Sequence, residues 1–133
     1  MIINGDLIVE GTNNNLKKIS ESINYTDYIN NCTFTDCNLN NNFNYVRKIN
    51  NMIIFNISVN LTKKITANTY FEGITLPTVV RPRGNIVVSA FSHNSSAAKV
   101  QYLRYTDGHL VIAFPMEIPS GNEINVWGVY FLN

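Results

Sequence analysis

The side chains best suited to bind a ligand are concentrated between residues 90 and 109, AFSHNSSAAKVQYLRYTDGH. Sugar recognition needs an aromatic face for the C–H surface of the ring, and planar polar groups that bridge neighbouring hydroxyls. This stretch supplies both kinds, and the single tryptophan of the chain is a further stacking surface. The candidate ligand-binding residues are His93, Asn94, Ser95, Arg104, Tyr105, Asp107, His109 and Trp127.

Several of these candidates also have a purely structural interpretation. Tyr105 and Tyr102 fall on opposite faces of one predicted strand, so we expect at least one of them in the core. Asp107 can have a role in its own turn alone, without contacting a ligand. A tryptophan inside an apolar strand is more often a core or subunit-contact residue. The favoured site is loop 93–96 together with Arg104 and His109.

The sequence shows no catalytic or cofactor motif. Its two histidines are not accompanied by a nucleophile elbow, an HExxH zinc motif or a glycine-rich phosphate loop. Cys32 and Cys37 lack a second cysteine pair, or histidines at ligand spacing, and therefore predict free thiols. Nothing pairs any two of the nine carboxylates as a glycosidase requires. We expect a protein that is not an enzyme and uses neither cofactor nor metal.

Length and charge limit the partners. The chain of 133 residues is long enough for one core, its net charge is +1, and no lysine or arginine run exceeds two residues. The basic patch of a nucleic-acid binder or an anionic-membrane binder is therefore missing. No window approaches the ~18 apolar residues of a membrane span, and MIINGDLIVEG lacks the basic start of a secretory signal. We expect a soluble protein with neither nucleic acid nor membrane as partner.

From about residue 43 the chain has the pattern of an antiparallel β-sandwich, with apolar runs separated by turn signals about every ten residues. The clearest strand is residues 52–62, where alternate residues from Ile53 to Leu61 are apolar. Asn50-Asn51 predicts a hairpin with residues 44–49, and Asp107-Gly108 predicts another. Further strands are predicted at 68–76, 85–92, 99–105, 109–114 and 123–132.

The last predicted strand, EINVWGVYFLN, is apolar on both faces. The faces are formed by Ile124, Val126 and Tyr130 and by Trp127, Val129 and Phe131. A strand buried on both sides in so small a domain usually lies between its own core and a second subunit, because a lone sandwich leaves one face of each sheet in water. We therefore expect a homo-oligomer.

The first 42 residues differ from the rest. In NNNLKKISESIN (13–24), Leu16, Ile19 and Ile23 recur at three- and four-residue steps, which predicts an amphipathic helix too short to be stable alone. CTFTDCNLNNNF (32–43) contains a fragment of a pentapeptide repeat, which cannot bury its own apolar face. We expect residues 1–42 to form a stalk or connector with a short helix, and residues 43–133 to form a β-sandwich, jelly-roll-like head.

The segment TLPTVVRPRGN (75–85) interrupts the strand pattern in the middle of the chain. Pro77 and Pro82 cannot donate ladder hydrogen bonds, and each biases the preceding residue toward an extended conformation. We expect the segment to leave one sheet and enter the other, with its valine pair pointing inward and a type I turn at residues 81–84. Arg81 is expected to tie the loop to carbonyl groups or to Glu72.

These features occur in a familiar order. A hairpin, YVRKINNMIIFNISVNLT (45–62), is followed by a strand ending in TLP, a loop ending in RP, further strands, an Asp-Gly hairpin and an apolar final strand. Residues 43–133 resemble the C-terminal head domains of phage tail-fibre and baseplate receptor-binding proteins. GDLIVEGT (5–12) is similar to segments that precede trimeric fibre modules.

The resemblance implies a compact β-sandwich knob that assembles as a homotrimer at a fibre tip and recognises host cell-surface saccharide. It also implies contacts with other tail or baseplate proteins, and a location in the virion after assembly in the host cytoplasm. Two alternatives remain open: a trimerisation or baseplate-connector module that binds no sugar, and a bacterial jelly-roll lectin or adhesin without phage context.

Overall fold

The computed structural model describes residues 24–93 and 96–132, which fold as an antiparallel β-sandwich, as the sequence predicted. Short 3-10 turns occur at Ile29–Asn31 and Thr78–Val80. The strands are β1 (Thr26–Asp27), β2 (Thr33–Phe34), β3 (Cys37–Leu39), β4 (Tyr45–Ile49), β5 (Met52–Leu61), β6 (Phe71–Thr75), β7 (Ile86–Val87), β8 (Ser89–Ser92), β9 (Ser96–Ala97), β10 (Val100–Leu103), β11 (His109–Ala113) and β12 (Glu123–Phe131).

The strands form two sheets. The large sheet has the order β1-β4-β5-β12-β8-β9, with β3 paired to the far end of β5, and the small sheet has the order β2-β6-β11-β10-β7. Apolar side chains from both sheets meet in one continuous core. In the described residues no helix is long and apolar enough to cross a membrane.

The alternation of β5 is confirmed. The alternate residues Ile53, Phe55, Ile57, Val59 and Leu61 are at most 2% exposed, and Val46 of β4 is buried opposite Phe55. Asn50 has a φ of 55°, the left-handed conformation that the two-asparagine turn requires. The β4–β5 hairpin is therefore fixed by signals that lie next to each other in the sequence.

The two faces of β12 are also as predicted. Ile124 and Val126 are fully buried, whereas Trp127, Val129 and Phe131 point away from the core and are 40%, 55% and 64% exposed. The strand pairs with β5 along its whole length and with β8 over residues 124–127, so Trp127 lies between two strands, whereas Val129 and Phe131 lie beyond the end of the β8 pairing. Coverage of this face by a second subunit stays a prediction.

The predicted stalk differs from the described structure. β1 pairs with β4, β2 with β6 and β3 with β5, so residues 26–39 belong to both sheets of the sandwich. Cys37 is 3% exposed within the core, and both it and Cys32 are free thiols. Such short strands are placed by their pairing with longer strands elsewhere in the chain, which a local repeat pattern does not reveal. The helix predicted at residues 13–24 falls almost wholly in residues 1–23, which lie outside the described residues.

The proline segment does not cross between the sheets, contrary to the prediction. β6 and β7, on either side of it, both belong to the small sheet, and the chain changes sheet at Val88, between β7 and β8. Prolines 77 and 82 end the pairing of a strand, but they do not determine which sheet the chain joins next.

The loop is anchored at both ends. Val80 is buried and its carbonyl accepts a hydrogen bond of 2.5 Å from the Tyr130 hydroxyl, whereas Val79 is exposed. Arg81 Nε donates to the Leu76 carbonyl at 3.4 Å, so the tie to a carbonyl is confirmed and the alternative partner, Glu72, is not used. A bend at residues 83–84 stands where the type I turn was predicted.

Candidate functional site

The β10–β11 hairpin gathers three of the predicted ligand-binding residues, Arg104, Asp107 and His109. The Arg104 N–H donates to the His109 carbonyl at 2.9 Å, and the Gly108 N–H donates back to the Arg104 carbonyl at 2.9 Å. Gly108 has a φ of 76°, which a residue with a side chain rarely adopts. The Asp-Gly signal is therefore confirmed, and its turn presents the polar side chains at one end of the small sheet.

Arg104 is held between two carboxylates. Its Nε donates to both oxygens of Asp107 at 3.1 Å, and its Nη2 donates to Asp107 Oδ2 at 2.7 Å and to Glu72 Oε1. The hydrogen bonds from the guanidinium lower the pKa of Asp107 to about 2, and the same bonds raise the pKa of Arg104 above its usual value. The guanidinium plane is thus fixed in one orientation.

Glu72 reaches this cluster through a β-bulge. Leu110 pairs with Ile74 and Ile112 with Phe71, so three steps along β6 match two steps along β11. Phe71 and Ile74 are therefore both buried, while Glu72 between them turns toward the guanidinium. The sequence prediction did not include Glu72 in the site. The sequence did contain a signal for the bulge, because a glycine inside a strand, here Gly73, often marks one.

His109 completes the cluster. Its Nδ1 lies 2.7 Å from the Thr75 hydroxyl, and its Nε2 lies 3.7 Å from Asp107 Oδ2. The side chains of Arg104, Glu72, Asp107 and His109 are each about one third exposed, between 28% and 38%. These side chains form the hairpin cluster, a set of rigid, planar, partly solvated donors and acceptors that can bind vicinal hydroxyls.

The same residues offer a possible cation site. One ligand atom each from Glu72, Asp107 and His109 lie within 4.8 Å of one another. However, the Arg104 guanidinium already lies against both carboxylates and offsets one of their two negative charges. A divalent cation would have to displace this arginine, so the geometry favours hydrogen bonding to a neutral ligand over metal coordination.

The proline loop supports the hairpin cluster from behind. The Leu76 N–H donates to the Gly108 carbonyl at 2.8 Å, and a Cβ on Gly108 would lie 2.5 Å from the Leu76 carbonyl oxygen and 2.6 Å from Arg81 Nε. The loop and the turn are therefore in direct backbone contact. The chain leaves strand structure at residues 75–85, and this irregular segment supports the turn that carries Asp107.

A cleft of about 380 Å³ adjoins the hairpin cluster on the β6 side. It is lined by residues 35–36, by residues 70–73 and by Thr75 and His109. Tyr70 at its rim is 63% exposed. The cleft adds to the cluster the aromatic surface that sugar binding requires.

The other predicted residues form a second group on the large sheet. His93 Nε2 lies 3.1 Å from Glu123 Oε2, and its ring stacks on Phe91 at 5.7 Å, while Trp127 contacts Phe91 edge-on at 5.5 Å. Among the residues that the structure describes, no hydrogen bond, ion pair or ring contact joins this group to the hairpin cluster. The prediction of a single site combining His93 with Arg104 and His109 is therefore not supported.

The remaining predicted ligand-binding residues are Asn94, Ser95 and Tyr105. Asn94 and Ser95 lie outside the described residues. Tyr105 lies beyond the end of β10, is 46% exposed, and its N–H donates to Asn85 Oδ1 at 3.1 Å. It therefore flanks the hairpin cluster as an exposed ring. The prediction that Tyr102 and Tyr105 share one strand with at least one of them in the core is wrong, because β10 ends at Leu103 and neither tyrosine is buried.

Comparison of the sequence with models of known protein families gives no match, and comparison with curated proteins gives none either. The arrangement of side chains on the sandwich is therefore the basis for assigning a function.

Proposed function

We propose that this chain is the saccharide-recognising head of a phage or prophage-derived tail structure and acts as a homotrimer. The observation that carries the proposal is the hairpin cluster, whose guanidinium is fixed by two carboxylates and whose side chains remain partly solvated beside an exposed tyrosine. A rigid planar donor flanked by acceptors is the arrangement that recognises adjacent hydroxyls without reorganisation on binding.

The chemistry of the cluster favours binding over hydrolysis. A glycosidase needs one carboxylic acid that is still protonated near neutral pH, and hence a raised pKa. Asp107 has the opposite property, because the guanidinium lowers its pKa to about 2. A polysaccharide depolymerase that uses this carboxyl as its acid is therefore disfavoured, and incubation of the protein with host polysaccharide is expected to release no reducing ends.

The exposed face of β12 supports self-association. Trp127, Val129 and Phe131 form an apolar surface with Ile54, which pairs with Val129 on the neighbouring strand β5. Exposed apolar patches of this kind mark interaction sites. In the proposed trimer this face contacts the other subunits, and the three hairpin clusters bind host cell-surface saccharide together, so that weak individual sites gain strength by multivalency. The phage context and the contacts with other tail proteins rest on the sequence resemblance.

The test combines binding with solution mass. Light scattering behind a sizing column is expected to give about three times the 15.0 kDa of one chain. The isolated trimer is expected to adsorb to host cells and to bind glycans on an array. Arg104→Lys should weaken binding, because lysine keeps the charge but loses the planar fork. Arg83→Ala, at an exposed arginine outside the cluster, is the matched control.

One rival is a structural trimerisation or connector module, which the exposed apolar face of β12 also fits. A trimer that neither adsorbs to host cells nor binds any glycan would favour this rival. A bacterial lectin or adhesin would bind sugar equally well, and the presence or absence of tail genes beside the coding gene separates it from the phage protein.

A further inference from the structure

The geometry points to a groove along β6 that binds a neutral, linear oligosaccharide, with Tyr70 as the stacking platform and the hairpin cluster at one end. This inference rests on the proposed saccharide function, and it names the ligand class and the path that the ligand follows. None of the groove residues outside the hairpin cluster was indicated by the sequence.

Two clefts join to form this groove. One, of about 380 Å³, is lined by Glu72, Thr75 and His109, and the other, of about 190 Å³, is lined by residues 63–66 and Thr69. Both clefts are also lined by Asp36, Tyr70 and Phe71, so they adjoin along that boundary. The groove therefore passes from the loop after β5 to the β10–β11 hairpin, and is elongated rather than a single-sugar pocket.

The floor of the groove is fixed backbone. The Thr35 N–H donates to the Gly73 carbonyl at 2.8 Å, and a Cβ on Gly73 would lie 2.1 Å from the Thr35 carbonyl oxygen. Asp36 follows with a φ of 61°, which turns the chain from β2 in the small sheet to β3 in the large one. A floor held by such close contacts is pre-organised, so little ordering is required on binding.

Tyr70 provides the apolar surface in this groove. It is 63% exposed at the boundary of the two clefts, directly before the bulged strand that carries Glu72. An exposed ring beside fixed carboxylate and imidazole groups places an apolar surface and hydrogen-bonding groups on the same ligand. This combination suits a pyranose ring, which has an apolar face and a hydroxylated edge.

The charges of the groove are already paired. Lys63 Nζ lies 3.5 Å from Asp36, Lys64 Nζ lies 3.6 Å from Glu117, and Arg104 lies between Glu72 and Asp107. The four carboxylates outnumber the three cations, so the local charge opposes binding of a phosphate, uronate or sialate group. The groove therefore selects neutral sugars, and an acidic glycan is the alternative that the experiment must exclude.

The experiment uses the full chain on an array that carries neutral hexose and N-acetylhexosamine oligomers of graded length beside uronate-, sialate- and phosphate-containing glycans. The tightest neutral oligomer is then titrated by calorimetry. Tyr70→Ala is expected to weaken this binding by about tenfold, and Tyr70→Phe to preserve it. Tyr25→Ala, at a half-exposed tyrosine beside Arg47 on the large sheet, is the matched control.

Two further measurements test the path and the ligand class. Thr66→Trp places a bulky side chain in the 190 Å³ cleft away from Tyr70, and is expected to weaken binding of long oligomers more than that of short ones. Affinity for the neutral oligomer is expected to stay within about twofold between roughly 0.05 and 0.5 M NaCl, because no net charge is neutralised on binding.

The outcomes distinguish failure of the groove proposal from failure of the proposed function. If the wild type binds a glycan and Tyr70→Ala binds it as well as Tyr25→Ala does, the groove is overturned while saccharide recognition stands. If the tightest ligand is acidic and its affinity falls steeply with salt, the neutral class is overturned. If the wild type binds no glycan, the proposed function fails and the groove proposal fails with it. Urea midpoints of all variants show whether each is folded.

Discussion

Replacing Gly108 by alanine is expected to destabilise the protein by about 3 kcal/mol. A φ of 76° is strained for alanine by about 1 to 2 kcal/mol. In addition, the new Cβ would lie 2.5 Å from the Leu76 carbonyl oxygen, so the turn and the proline loop must separate. Separation weakens the 2.8 Å hydrogen bond from Leu76 to Gly108, which contributes about 1 kcal/mol. This sum is a large share of the about 5 to 15 kcal/mol that stabilises a typical domain.

Alanine substitutions at three other glycines distinguish destabilisation by backbone strain from destabilisation by steric contact. Gly121 has a φ of 89° but nothing within 4 Å of its built Cβ, so Gly121→Ala should cost only the strain of about 1 to 2 kcal/mol. Gly73 has the contact without the positive φ, and Gly73→Ala should cost about 2 to 4 kcal/mol. Gly84 has neither, and Gly84→Ala should lie within about 1 kcal/mol of the wild type.

The assay is urea unfolding followed by far-UV circular dichroism, with the free energy of unfolding extrapolated for the wild type and the four variants. The loss of stability is expected to be smallest for Gly84→Ala, larger for Gly121→Ala, and largest for Gly73→Ala and Gly108→Ala. If Gly108→Ala is no less stable than Gly84→Ala, the whole account of the turn is wrong. If Gly121→Ala is as destabilised as Gly108→Ala, the contact between turn and loop contributes nothing.

Three further expectations follow from buried and charged groups. Tyr130→Phe leaves the buried Val80 carbonyl without its donor and should cost about 1 to 3 kcal/mol in the same urea assay. Burial raises the pKa of Cys32 to about 12 and of Cys37 to about 11, so both thiols should resist alkylation at about pH 8 until urea is added. Because these folded-state values exceed the unfolded value of about 8.5, urea midpoints should also fall as the pH rises from about 9 to 12. The neighbouring guanidinium lowers the pKa of Asp107 to about 2. The stability that the ionised Asp107 contributes should therefore be present above about pH 4 and be lost as the pH falls from about 4 to 2. Asp107→Asn should reduce this dependence of the urea midpoint on pH.

The sequence alone determined the features that depend on neighbouring residues. The period of two in β5 and β12 follows from side chains that point alternately to opposite faces of a strand, and both assignments are confirmed. The turns at Asn50 and Gly108 follow from residue types that tolerate a positive φ. Arg104, Asp107 and His109 come together for the same reason, because one tight hairpin connects them.

Only the tertiary structure decided which distant segments meet. Glu72 joins the hairpin cluster because β6 carries an extra residue relative to β11, and residues 26–39 join the sandwich because β4, β5 and β6 pair with them. His93 and Arg104 are eleven positions apart in the sequence, yet they follow strands of different sheets, because the chain passes from the large sheet to the small sheet between β9 and β10. Turn and alternation signals act over a few residues, whereas strand pairing and register depend on packing against residues far along the chain, and that packing energy belongs to the folded molecule as a whole.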